Sequence, residues 1–160
     1  MTLGNIPLAR RNKVDAKILL GYIPSLNYCS ESKKKSASFR LAARRLFHRA
    51  LSAMLRLLRC LSYNGVHLYV NGGLKWFFPY LAVIISDWPE AYAMCATYES
   101  SNSLHPCHSC LVDHDMMNNV YLKKENIIIH NENTTKESLC QSIGKQISVH
   151  YMRNALWKRP

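Results

Sequence analysis

Between residues 36 and 62, Phe39, Ala43, Leu46, Ala50, Met54, Leu57 and Leu61 recur at spacings of three and four. That period places them on one face of a long amphipathic helix, and Phe47, Leu51 and Leu58 widen the apolar stripe. Asn64-Gly65 stops the helix, because glycine adopts the left-handed conformation that ends one. Arg45, Arg49, Arg56 and Arg59 also follow helical spacing and form a basic ridge on another face. A chain of 160 residues is long enough to bury the apolar stripe in the core of one domain.

Around this helix the sequence predicts strands. Residues 16–24 (AKILLGYIP) are apolar and β-rich and read as a buried strand, followed by a polar loop over 25–35. Residues 66–70 form a short strand, Asn71-Gly72-Gly73 a tight turn, and residues 74–86 a returning strand whose Val83, Ile84 and Ile85 suit a buried position. The hairpin 66–86 then ends at Asp87. A short helix is expected over 90–98 and a polar, Cys- and His-rich loop over 100–119. A strand is expected over 126–130. Thr134 and Glu137 have capping-box spacing, and Leu139, Ile143 and Ile147 continue a weak helical pattern around Gly144.

Charge narrows the partners. The formal net charge is +11. Residues 1–61 hold 13 basic and 2 acidic side chains, whereas residues 62–160 hold 8 of each, so the whole excess lies in the first segment. Such asymmetry favours a polyanion such as nucleic acid, or an anionic membrane surface, over a purely solubilising role. The longest apolar run, 76–85, is broken by Pro79 and falls short of the roughly 18 residues a bilayer requires. No apolar signal segment precedes Arg10 and Arg11. The expectation is a soluble intracellular protein whose six cysteines are thiols or metal ligands rather than disulfides.

Three groups of residues can carry chemistry. Asp87, at the end of an apolar strand, would present its carboxylate at a sheet edge, where hard divalent cations are held for phosphoryl transfer. The alternative is a turn in which Asp87 bonds its own backbone. Cys107-His108-Ser109-Cys110 has the spacing of half a zinc site, with His105, His114, Cys95, Cys140 and His150 available to complete it. A redox pair and two unligated thiols are its rivals. The arginine ridge with Lys33, Lys34 and Lys35 can contact phosphates, with a solvated helix face or a membrane-surface helix as alternatives.

Several blocks together resemble, in order, those of Plavaka-type DDE transposases, which abound in fungal genomes. They are Thr2-Leu3-Gly4-Asn5-Ile6-Pro7, Leu20-Gly21-Tyr22-Ile23-Pro24, the arginine-rich helix with Leu46-Phe47-His48, residues 81–90 (LAVIISDWPE), residues 106–112 (PCHSCLV) and Asn154-Ala155-Leu156-Trp157. The resemblance implies an RNase H-like domain that cuts and joins DNA with divalent metal and three acidic residues. Asp87 matches the second acid. Cys107 and Cys110 match a CxxC insertion, Cys95 resembles a cysteine that precedes it, and His114 is a further candidate zinc ligand. In some related families a histidine pair completes the zinc site, but here the residue three after His150 is Arg153.

The fold expected is thus α/β: a partial RNase H-like fold with a mixed sheet, one long amphipathic helix and a Cys/His-rich zinc-binding loop. Residues 1–98 would form the partial core, 99–120 the loop and 121–160 an extension of the same domain. The first acid is expected before the 3–7 block and the third beyond Trp157. One acid of three cannot hold two ions about 4 Å apart. The expected function is therefore a transposable-element-derived transposase fragment, inactive and marginally stable by itself. The alternative is a non-catalytic, zinc-containing nucleic-acid-binding module. Structural Zn²⁺, with Mg²⁺ in the full-length family only, is the cofactor expectation. DNA is the partner, without membrane or small-molecule substrate, and the nucleus the location.

Overall fold

A computed structural model describes residues 1–98, 103–141 and 143–156, the side chain of Thr134 excepted. The chain combines helices with one small sheet. Its helices are α1 (Leu8–Arg11), α2 (Glu31–Lys35), α3 (Ala37–Met54), α4 (Arg56–Asn64), α5 (Trp88–Cys95) and α6 (Glu132–Cys140). Strands β1 (Val66–Val70) and β2 (Gly73–Phe77) form the antiparallel hairpin between α4 and α5.

The amphipathic segment folds as the periodicity predicts, with one interruption. Ser36 caps α3 by accepting from the Phe39 N–H at 3.2 Å. At Leu55, ψ of −1° loosens the helix and separates α3 from α4, although the Leu55 and Arg59 N–H groups still bond one turn back. Gly65, at φ 71°, closes α4. A side chain at this position would collide with the Trp76 indole, so the glycine serves both the helix end and the close approach of the hairpin.

The core lies on the C-terminal side of these helices. Leu51, Leu55 and Ala155 form its centre, with Phe47, Met54, Leu58 and Leu156 packed around them. Residues 148–156 close over α3 and α5 through bonds between segments distant in sequence. Thr97 pairs with Val149, the Tyr98 N–H donates to Ser148 O at 2.8 Å, and the His150 N–H donates to Ala96 O at 2.8 Å. Asn154 Nδ2 donates to Met94 O at 2.8 Å. Gly144 fits where a Cβ would press on Leu139 Cδ2 and on the Val149 carbonyl, so the turn after α6 can lie close to this closure.

Two strand expectations fail. Residues 16–24 form no strand, and Ile18, Leu19 and Tyr22 stand exposed. The returning hairpin strand ends at Phe77 rather than reaching residue 86. Pro79 cannot donate to a ladder, residues 78–86 have no regular structure, and Ile85 is 91% exposed. Among the described residues the sheet has two antiparallel strands, not the mixed sheet expected. The 126–130 strand reduces to one bridge, Cys110 with Ile129. The helix expected through Ile147 ends at Cys140. The Thr134 half of the capping box, residues 99–102 of the predicted loop and Trp157 of the last block lie outside the described residues.

Candidate nucleic-acid interface and Cys/His loop

Arg45, Arg49 and Arg56 are exposed on α3 and α4, as their spacing predicts, while Arg59 is half-buried. The Arg59 guanidinium donates to Ala155 O and, at 3.3 Å, to Ser52 Oγ. Arg45, Arg49 and Arg59 line one cavity of about 830 Å³ together with Lys136 of α6 and Arg153. Lys136 also pairs with Glu132 at 2.7 Å. Neither Lys136 nor Arg153 was singled out from the sequence. Nothing in their spacing links them to α3, and closure of the C-terminal segment brings them there. Arg56 lines an adjoining cavity, which shares Arg49, Ser52 and Arg59 with the first. Lys33, Lys34 and Lys35 crowd the last turn of α2 and line neither cavity. Lys34 Nζ donates to Tyr28 Oη at 3.2 Å and faces Glu31 at 3.9 Å, and both partners hold its pKa above the usual lysine value.

His48, beneath this ridge, is buried and joins three segments. Its Nε2 lies 3.0 Å from Ala93 O, and its Nδ1 accepts from the Ala155 N–H at 3.0 Å. These partners fix the neutral Nε2–H tautomer. Burial pushes its pKa down, partly offset by the Ala93 carbonyl. His150, ringed against Tyr98, is pushed down to about 4 by burial and by the neighbouring Arg44 and Arg40.

Asp87 is exposed at the N-terminus of α5, where its Oδ1 accepts from the Glu90 N–H at 2.9 Å. With Pro89 in the first turn, this is a standard N-cap. The sheet edge on which the sequence was expected to present Asp87 is absent among the described residues, since β2 ends ten residues earlier.

The Cys/His loop is clipped onto α5. Tyr92 Oη donates to Pro106 O at 2.6 Å, and the rings of Trp88 and Tyr92 pack edge-on against His108. This sets Cys107 beside Cys95, the last residue of α5. Burial, then the neighbouring Cys107, push the Cys95 thiol up. Burial first also pushes Cys110 up, with Cys107 as a hydrogen-bonded neighbour.

Residues 109–111 bond to 128–130: the Leu111 N–H to Ile128 O at 2.8 Å and the His130 N–H to Ser109 O at 3.0 Å. His130, which sequence reasoning missed, therefore lies against the CxxC turn. Its ring bonds the Cys107 backbone, while its buried Nε2 has no partner, as does Nδ1 of His108. His105 Nδ1 lies 3.3 Å from Asp113 Oδ1, too poorly aimed for a hydrogen bond. His114 is exposed, 3.1 Å from Asp115. Among the described residues no group of three or more His, Cys, Asp or Glu converges closely enough to hold a metal ion.

The family model described as Plavaka transposase matches residues 1–159. The chain belongs to the Plavaka transposase family. No curated protein and no solved structure matches it significantly. Among the described residues of this Plavaka chain, no helix is long and apolar enough to cross a membrane.

Proposed function

We propose that this chain is the DNA-holding part of a transposable-element transposase, acting in the nucleus and without strand cleavage by itself. The observation that carries the reading is the convergence of Arg45, Arg49 and Arg59 with Lys136 and Arg153 around one cavity. Cations from three separate stretches of chain meet there, and phosphate oxygens are the ligands that such a set neutralises. The family match supports DNA as the polyanion. Binding measured between 50 and 200 mM salt should give a log–log slope of roughly −3 to −5. Arg45→Ala with Arg49→Ala should make that slope shallower by about 2. An unchanged slope would remove the ridge as the contact.

Asp87 is proposed as the acid of this chain that would face a catalytic cation in a complete RNase H-like site, a duty additional to capping α5. Its exposure at the helix start supports access by solvent and ions.

A structural zinc is proposed at the Cys/His loop. Cys95, Cys107 and Cys110, which would have to be drawn closer together than they stand here, would supply thiolates and His130 the imidazole, in place of His114. The unpartnered, buried Nε2 of His130 supports this choice. So does the Ser109 N–H pointing at Cys107 Sγ at 3.4 Å, since a backbone donor favours the thiolate that zinc requires. Zinc would fasten residues 107–110 to α5 and to residues 128–130. Metal content of the purified chain tests this: about one zinc per chain, lost on Cys107→Ser and His130→Ala and kept on His114→Ala. Zinc retained by His130→Ala would exclude that residue.

A further inference from the structure

The two adjoining cavities along α3 and α4, which share Arg49, Ser52 and Arg59 in their linings, together make up a groove. Its helical wall carries Arg45, Arg49, Arg56 and Arg59. The opposite wall of the second cavity is apolar, formed by residues 81–84. Exposed tyrosine rings line both cavities: Tyr151 the first, 69% exposed, and Tyr63 and Tyr80 the second, each 77% exposed.

We propose that this groove takes a single-stranded stretch of DNA rather than an intact duplex. The inference rests on the DNA-holding reading and names its substrate class. A duplex offers phosphates and base edges to a protein surface and keeps its base faces stacked inside. A groove lined by cations, by apolar side chains and by bare aromatic rings matches both halves of an unpaired strand. The guanidinium groups track the backbone, and the tyrosines and residues 81–84 receive base faces, which every base presents regardless of sequence.

Fluorescence anisotropy with the full chain decides the matter, using a labelled 12-nucleotide mixed-sequence strand and the duplex of the same sequence at one salt concentration. The single strand should bind at least tenfold tighter than the duplex. The triple variant Tyr63→Leu, Tyr80→Leu, Tyr151→Leu should lose ten- to a hundredfold in affinity for the strand and keep its duplex affinity. All three rings are exposed, so circular dichroism should be unchanged. Arg45→Ala with Arg49→Ala should weaken both ligands. Duplex binding equal to or tighter than strand binding, or a tyrosine variant without effect, overturns the single-strand inference. If the arginine effect persists in that case, the DNA-holding reading stands. Binding to neither ligand overturns both.

Discussion

Residues 78–86 and residues 148–156 are both short, lack regular structure and run beside the same helices, yet they behave in opposite ways. The earlier segment is the more apolar and stays largely exposed, with Val83 at 71% and Ile85 at 91%. The later one is mixed in composition and largely buried, with Ser148, Val149, Met152, Asn154 and Ala155 all at 8% or less. The difference lies in hydrogen-bond partners rather than hydrophobicity. Residues 148–156 find backbone partners on Ala96 and Tyr98, the His48 ring accepts from the Ala155 N–H, and the Asn154 side chain donates to Met94 O. Residues 78–86, interrupted by Pro79, find no ladder. Polar groups that are fully satisfied can hold a segment inside a small protein where apolar side chains without a paired backbone cannot.

The largest test of this contrast is His48→Ala. It strands the Ala155 N–H and the Ala93 carbonyl in the interior, so the loss should be about 3 kcal/mol by denaturant unfolding. Ile85→Ser in the exposed segment should change stability by less than about 0.5 kcal/mol. If the two variants cost the same, the contrast is broken.

Acidification comes next. His48 and His150 are held below the ordinary histidine value, His150 at about 4. As pH falls, the unfolded chain takes up these protons first, near the usual value of about 6.5. Stability is therefore full above about pH 7 and declines as pH falls from about 6.5 toward 4. Unfolding midpoints at pH 7.5, 6 and 5 should decrease in that order, and a flat profile would mean that neither imidazole is buried neutral.

A smaller loss than at His48 is expected at Asp87. Asp87→Ala should cost about 1 kcal/mol as a lost cap, and Asp87→Asn should restore most of it. If Asp87→Ala proves neutral, the cap contributes nothing and the carboxylate is kept for another reason.

The helical half of the fold was legible because its signal is local. The stripe from Phe39 to Leu61, the stop at Asn64-Gly65 and the arginine ridge all depend on residues three or four apart. The strands over 16–24 and 78–86 were misread because apolar, β-rich composition cannot say whether a neighbouring strand exists. In the candidate sites, Arg45, Arg49 and Arg59 were visible, but Lys136 and Arg153 reach them only through closure of a segment about a hundred residues away. His130 carried one faint sign, its place at the end of the apolar run Ile127–Ile129, and the pairing that sets it against Cys107 spans twenty residues. His48 read as one more helical residue, because its two partners lie 45 and 107 positions away.

Arg59 serves two masters: it latches the Ala155 carbonyl and also borders the groove. Occupancy of the groove and fastening of that latch are then thermodynamically linked. A polyanion that binds only the latched form raises the melting temperature with the logarithm of its concentration, whereas one that must draw the guanidinium away binds more weakly by the cost of opening the latch.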